Sequence, residues 1–402
     1  MNEKKTPDAS GPLHGLRVVD ISRYLTGPFC TMILGDMGAE VIKIEPPQKG
    51  DEMRPWPPLI NGLGSYFVTI NRNKKSVTLN IRESEGLNIL KRLLRTADVL
   101  VENSRPGVME RLGLSSESVL ELNPKIVFCR ISGFGQTGPY AQRPGFDQIL
   151  QGMGGLMSVT GTKDSGPIRS GVAIGDVLTG IFAANGILSA LLAREKSKKG
   201  QIVTTSILEG IVAALTVQAG VFLATGKTPP PAGNDHPIVS PYGLFKVKDG
   251  YLNIAVATDA MFEKLSSEIG CPELATKAKY ANNAKRVENR DLLKKEIEKA
   301  LVKGTRSEWE ERLNTVGVPC GPVLTVDEVF SNPQVLHLDM LADVTHPVLG
   351  PFKLPGIPFK LSATPGSIRI APPQLGEYTE AIMEELGYSR EDVKKFYAKG
   401  VL

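Results

Sequence analysis

The chain has 402 residues, 41% apolar and 22% charged, enough for two or three domains with a sizeable core. Its net charge is only +4, with Lys and Arg interspersed among Asp and Glu, which argues against nucleic acid as a partner but leaves room for a local anion site. Cys30, Cys129, Cys271 and Cys320 are scattered, as are His14, His236, His337 and His346; neither a disulfide framework nor a metal site is expected, and the cytoplasm is the natural compartment.

In chain order, the polar opening "MNEKKTPDASGP" lacks an apolar segment and reads as a disordered tail. "LRVVDIS" and "AEVIKIEPP" are β-branched runs flanking "GPFCTMILGDMG", a β-α-β unit whose second strand ends in Glu45. "KSVTLNI", a helix over about 84–95, "DVLVEN" and "KIVFCRIS" continue the alternation. Strands alternating with helices imply an α/β fold with a mostly parallel, doubly wound sheet, and ligands then belong at the carboxyl ends of its strands.

After the last of these strands comes G-F-G-Q-T-G at 133–138, the glycine spacing of a dinucleotide fingerprint. That motif works only when its last glycine opens a helix. Here Pro139, Tyr140, Pro144 and Gly145 follow instead, so the segment reads as an extended loop and a nicotinamide site is not expected. From Gly161 to about 226 the pattern is helical, with two long apolar stretches; the first contains Asp176 and the second is short and preceded by Glu209, so both read as buried helices and not membrane spans. "GKTPPPAGN" is a Pro/Gly-rich connection marking a domain boundary. "GLFKVKDGYLNIAVA" is a hairpin turning at Asp249-Gly250, and charged helix formers over 260–315 complete a small α+β domain. Short Pro/Gly-punctuated strands from about 340 and two short helices end the chain.

Two features carry chemistry. Asp176 stands between "GVAIG" and an apolar helix, where its carboxylate is either a helix N-cap or a nucleophile for an activated carbonyl. Arg72, Lys74, Lys75, Arg105, Arg111 and Arg143 fall in segments taken to be loops at one sheet edge, where they are either solvated charges or a polyanion site. A carboxylate nucleophile beside a phosphate-rich ligand, with no triphosphate-binding loop, points to coenzyme A.

At this point the sequence resembles the family III CoA-transferases, which include formyl-CoA transferase, carnitine CoA-transferase and the bile-acid-inducible F proteins. The resemblance runs through "LHGLRVVDISRYLTGPFCTMILGDMGAEVIKIEPP", "INRNKKS", "VLVENSRPGVMERLGL", "ISGFGQTGPYAQRPGFD", "GGLMSVTG", "GVAIGDVLTG", "SNPQVL" and "APPQLGEYTEAIMEELGY", nearly the whole chain. It is closest to the succinyl-CoA:dicarboxylate (glutarate) branch. It implies Asp176 as the catalytic nucleophile, forming mixed anhydrides and an aspartyl-CoA thioester. It implies CoA contacts at Tyr24, Leu25, Arg72, Asn73, Lys75, Asn103, Ser104, Arg105, Arg111, Arg143, Gly145 and Phe146. Pro46 departs from the pattern, since some members carry arginine there. Phe146 replaces the histidine base of the α-methylacyl-CoA racemases that share the fold, which favours transfer; a racemase-like enzyme or an idle CoA-binding protein is the alternative. The glycine-rich lid loop of oxalate-specific members is absent near 230–245, and Arg169 could meet a distal carboxylate or lie at the surface.

The expected partners are acyl-CoA and a carboxylic acid as substrates, with no permanently bound cofactor or metal, no nucleic acid, no membrane, and a second copy of the chain in an interlocked homodimer. The expected organisation is a large doubly wound, Rossmann-like domain begun by residues 1–225, a small α+β domain over 226–335, and a part at 336–402 that returns to the large domain.

Overall fold

Six short β-branched segments, Arg17–Asp20 (β1), Glu40–Glu45 (β2), Lys74–Thr78 (β3), Val99–Glu102 (β4), Val127–Ser132 (β5) and Ile202–Ser206 (β6), pair side by side in the computed structural model, which describes residues 11–402. The tail expectation for residues 1–10 lies outside that range. The strand order is β3-β2-β1-β4-β5-β6, and every pairing is parallel. The chain therefore winds outward from β1 to β3, crosses back, and winds the other way from β4. Between β1 and β4 consecutive loops leave in opposite directions, and a crevice opens at the carboxyl ends.

The two faces of the sheet sort by alternation along the strands. Val19, Ile42, Leu100 and Phe128 point to one face, whose core includes Ile89, Leu90, Leu93 and Leu94 of the helix Ser84–Leu94 and the C-terminal residues Ile382, Met383, Val401 and Leu402. Their neighbours Val18, Val41, Val99, Val101 and Val127 point to the other face, against Cys30 and Leu34 of helix α1 (Thr26–Asp36) and Ala183, Ala184, Ile187 and Ala190 of a long helix, Ile174–Ser197. Burial on both faces is why the central strands β1 and β4 have uninterrupted apolar centres, Val18-Val19 and Val99-Leu100-Val101, and not polar–apolar alternations.

The helix Ile174–Ser197 is long and apolar enough to cross a membrane, the one single helix of that kind among the described residues. One stripe of it packs on the sheet, but Ile181, Phe182, Leu188 and Leu192 are exposed, so the expected fully buried helix is buried on one side only.

β6 lies inside the stretch 161–226 that reads as helical throughout. Ile202, Val203, Thr204 and Thr205 follow Gly200-Gln201 and form an edge strand, paired on one side only by β5. A four-residue β-branched run between two helices was the available signal.

The chain divides into two units. The first holds the described residues up to Leu156, Arg169–Gly220 and Gln334–Leu402; the second holds Met157–Ile168 and Val221–Pro333. The boundaries thus fall near 220 and 333, and residues 157–168, the end of a helical turn followed by a two-rung hairpin, go with the smaller unit. In that unit Tyr242–Val247 and Gly250–Ala255 form an antiparallel hairpin extended by Cys320–Pro322. Its turn is Lys248-Asp249, one residue earlier than expected, because Val247 pairs with Gly250. Phe245, Leu252, Phe262, Leu293, Ile297, Trp309 and Leu313 make its core.

Candidate active site

Each strand at the crevice ends on a polar side chain that turns back to hold the loop it feeds. Asp20 at the end of β1 accepts the Ser22 N–H at 2.9 Å, Glu102 at the end of β4 accepts the Ser104 N–H at 2.7 Å, and Ser132 at the end of β5 accepts the Gly135 N–H at 3.0 Å. These groups are buried, so each charge needs a partner. Asp20 receives Lys74 Nζ at 3.2 Å and Thr31 Oγ1 at 2.6 Å; Glu102 receives Arg130 Nε at 3.2 Å. Both lysines beneath the first loop also hold backbone: Lys43 donates to the Ser22 carbonyl at 3.0 Å and Lys74 to the Pro28 carbonyl at 2.8 Å.

The loops so fixed enclose a cavity of about 220 Å³ lined by Arg23, Tyr24, Thr26, Asn103, Ser104, Arg105, Gly133, Arg143, Gly145, Phe146 and Asp176, among others. The glycine-rich segment forms one wall. No helix opens at Gly138; the first helix after β5 begins at Asp147. A side chain on Gly133 would lie 3.2 Å from the Gly145 Cα, so the two arms of the loop approach as closely as they do because both are glycine. Phe146 meets Tyr24 edge-on with ring centroids 5.9 Å apart, and Tyr24 meets Trp56 at 6.2 Å, giving one apolar rim.

Asp176 occupies the first turn of the helix Ile174–Ser197, hereafter α2. Its carboxylate is not the cap. That role belongs to Asp147, buried at the start of the helix Asp147–Met153: one oxygen accepts the Gly175 N–H at 2.8 Å, the other accepts Gln151 Nε2 at 2.6 Å. With the N-terminal donors served by another element, Asp176 turns into the cavity, where its recorded hydrogen bond comes from the Thr26 hydroxyl at the start of α1. Burial pushes its carboxyl up to about 6; the Thr26 hydroxyl pulls it down, and the nearby Asp147 charge raises it further. The result is a carboxylate ionised at neutral pH and more basic than an exposed one. Thr26 and Asp147 carry this arrangement, and Arg23, whose guanidinium pairs with Glu52 at 2.6 Å, lines the cavity beside it; all three are missing from the sequence-based set. Arg23, placed directly after β1, had a readable signal; the pairing of Asp147 with α2 spans a separation that no local pattern encodes.

Of the expected contact residues, Tyr24, Asn103, Ser104, Arg105, Arg143, Gly145 and Phe146 line the cavity beside Asp176. Asn103 uses both polar atoms of its side chain on the Arg23 backbone, and Arg143 stacks its guanidinium 3.8 Å over the Tyr140 ring. Arg111 is exposed on the short helix that follows the Asn103 loop. Leu25 turns away and packs with Phe67 and Val68 in a neighbouring core. Arg169 is exposed and does not line the cavity.

Arg72, Asn73 and Lys75 are not brought there, and the expected convergence is corrected. They sit before or at the start of β3, and hence at the amino edge of the sheet, opposite the crevice. Arg72 is buried in an ion pair with Asp36 at 2.7 Å, Asn73 donates to Asp36 at 2.7 Å, and Lys75 pairs with Glu40 at 2.5 Å. The segment that does leave β3 at the carboxyl edge is 79–82, with Arg82 exposed. Lys74, the remaining basic residue there, is wholly buried on Asp20.

The model of CoA-transferase family III matches residues 13–379. The chain is 39% identical over 397 residues to the succinyl-CoA:glutarate CoA-transferase of Mus musculus, covering 98% of this chain and 91% of that protein. It is 40% identical over 392 residues to the acetyl-CoA:oxalate CoA-transferase of Acetobacter aceti, covering 96% and 98%. Among solved structures, a CAIB/BAIF family protein from Brucella suis superimposes with a TM-score of 0.87 at 38% identity, covering 94% of this chain and all of the other.

Proposed function

The chain belongs to CoA-transferase family III, and from that premise we propose that Asp176 is the nucleophile by which this enzyme moves CoA from an acyl-CoA donor, succinyl-CoA in our reading, to a small dicarboxylate. The observation that carries this is the division of labour between the two aspartates: Asp147 serves the helix end, leaving the Asp176 carboxylate free in the cavity with a raised basicity. In the first step the Asp176 carboxylate attacks the thioester carbonyl, the C–S bond breaks, and an acyl-aspartyl anhydride and CoA thiolate form. The thiolate then attacks the aspartyl carbonyl and expels the donor acid, leaving an aspartyl-CoA thioester. The acceptor carboxylate attacks this thioester, and the released thiolate attacks the acceptor's carbonyl in the new anhydride, freeing Asp176. The Thr26 hydroxyl orients the attacking oxygen. Arg23, Arg105 and Arg143 at the cavity line the path expected of the phosphates.

The acceptor is held at the level of its class, because the glutarate and oxalate enzymes resemble this chain equally. Phe146, in place of a histidine base, speaks against racemisation. We also read the enzyme as a homodimer acting in the cytoplasm: Ile181, Phe182, Leu188 and Leu192 form an exposed apolar face on α2, and all four cysteines are free thiols.

The test is to incubate the protein with succinyl-CoA and no acceptor, then add hydroxylamine. A hydroxamate at Asp176 is expected, and Asp176→Ala should form none and lose transfer by at least about 10³-fold while keeping its fold. Normal turnover by a folded Asp176→Ala protein would end this reading.

A further inference from the structure

The β1–β4 ladder runs Val18↔Val99, Val19↔Leu100 and Asp20↔Val101, and the Ile21 N–H still reaches the Val101 carbonyl at 3.0 Å. Beyond it the two chains diverge, as they must at the point where the strand order reverses. There the side chain of Asn103 replaces the missing rung. Its Oδ1 accepts the Arg23 N–H at 2.9 Å and its Nδ2 donates to the Arg23 carbonyl at 2.6 Å, the two bonds that a paired strand residue would make.

Each loop is anchored to its own strand by the Asp20–Ser22 and Glu102–Ser104 bonds, and Asn103 is the side-chain link recorded between them. Tyr24, next to the bridged residue, has a φ of 63°, a conformation that costs energy in a residue with a side chain and must be held from outside. Two residues further, Thr26 bonds Asp176. Both polar atoms of the Asn103 carboxamide are thus engaged on the Arg23 backbone, and of its four bonding positions one N–H and one lone pair remain.

We propose that Asn103 is a positioning residue: a strut across the crevice that fixes the Arg23–Thr26 segment, and through Thr26 the Asp176 carboxylate, against the wall formed by the β4 loop. It rests on the reading of Asp176 as nucleophile and adds a residue that acts through others. A strut and a CoA ligand differ in what their loss does. Removing a ligand weakens binding; removing a strut leaves binding groups in place and misaligns the attacking oxygen, which lowers kcat.

The experiment combines amide hydrogen exchange with kinetics on Asn103→Ala and Asn103→Asp, the latter keeping the acceptor for the Arg23 N–H and losing the donor. In Asn103→Ala, protection of the Arg23 amide should vanish, kcat should fall about 10- to 100-fold, and the CoA dissociation constant should stay within about threefold. Asn103→Asp should retain protection at Arg23 and recover part of kcat. Should Asn103→Ala not fold, the partial loss in Asn103→Asp carries the test. Unchanged Arg23 exchange in Asn103→Ala, or CoA binding weakened about tenfold with kcat intact, would overturn the strut. The underlying reading fails separately, by turnover in Asp176→Ala, and leaves the exchange result standing.

Discussion

Asp147 and Asp176 show how two carboxylates close together can be given different tasks by what surrounds them. Asp147 has both oxygens engaged by N–H donors, whereas Asp176 has a single hydroxyl and a desolvated site. In the mechanism we propose the attacking group is the ionised form, so transfer should be weak at low pH, rise through about 6, and level off above it. Asp147→Asn keeps an oxygen for the Gly175 N–H and removes the like charge that raises Asp176. The acid limb should therefore move to lower pH, read from kcat/KM profiles of the two proteins; an unmoved limb would show that burial alone sets it. Asp147→Ala removes the cap as well and should cost about 0.5–2 kcal/mol in urea unfolding. At this scale Asp176 was legible in the sequence as a lone acid in an apolar, glycine-flanked run. The choice between cap and nucleophile was not, because it turns on a second aspartate 29 positions away in the chain.

The elements around the cavity meet at glycines. A Cβ on Gly180 of α2 would lie 2.9 Å from the Thr26 carbonyl oxygen and 3.0 Å from the Phe29 ring, and one on Gly175 would lie 2.8 Å from Ile207. The close approach of α2 to α1 is what lets Thr26 reach Asp176. Gly180→Ala should force the helices apart at a point where backbone, which yields least, is the obstacle. A loss of about 1–3 kcal/mol in thermal or urea unfolding is expected, with a fall in kcat larger than any change in CoA affinity. Unaltered kinetics would mean that the Thr26 contact is not needed. Strand positions were legible from β-branched runs, and the alternation of strands and helices was enough to direct attention to the carboxyl edge, where the cavity lies. Which basic residues lie on that edge was harder: the run Asn71–Ser76 straddles the start of β3, and a few residues decide between opposite ends of a sheet.

Across the whole molecule, the apolar face of α2 is a feature that a single chain leaves unexplained. Leu192 is 69% exposed and Ile181 and Phe182 are nearly half exposed, on a helix otherwise packed against the core. A second copy covering this face predicts light scattering at twice the chain mass. Leu192→Glu should weaken that association, seen as a smaller particle or a concentration-dependent loss of activity; a wild-type monomer would reject the dimer. Taken alone, the sequence determined the fold class and the family and singled out Asp176 as a candidate, because hydrophobic periodicity and a run of short motifs are local and survive without knowledge of contacts. Tertiary structure alone decided that Asp147 caps α2, that Asn103 spans the crevice, and that Arg72 and Lys75 lie at the far edge. Each of these depends on strand order and on contacts between residues distant in sequence, and the free energy of such contacts leaves no periodic trace in the chain.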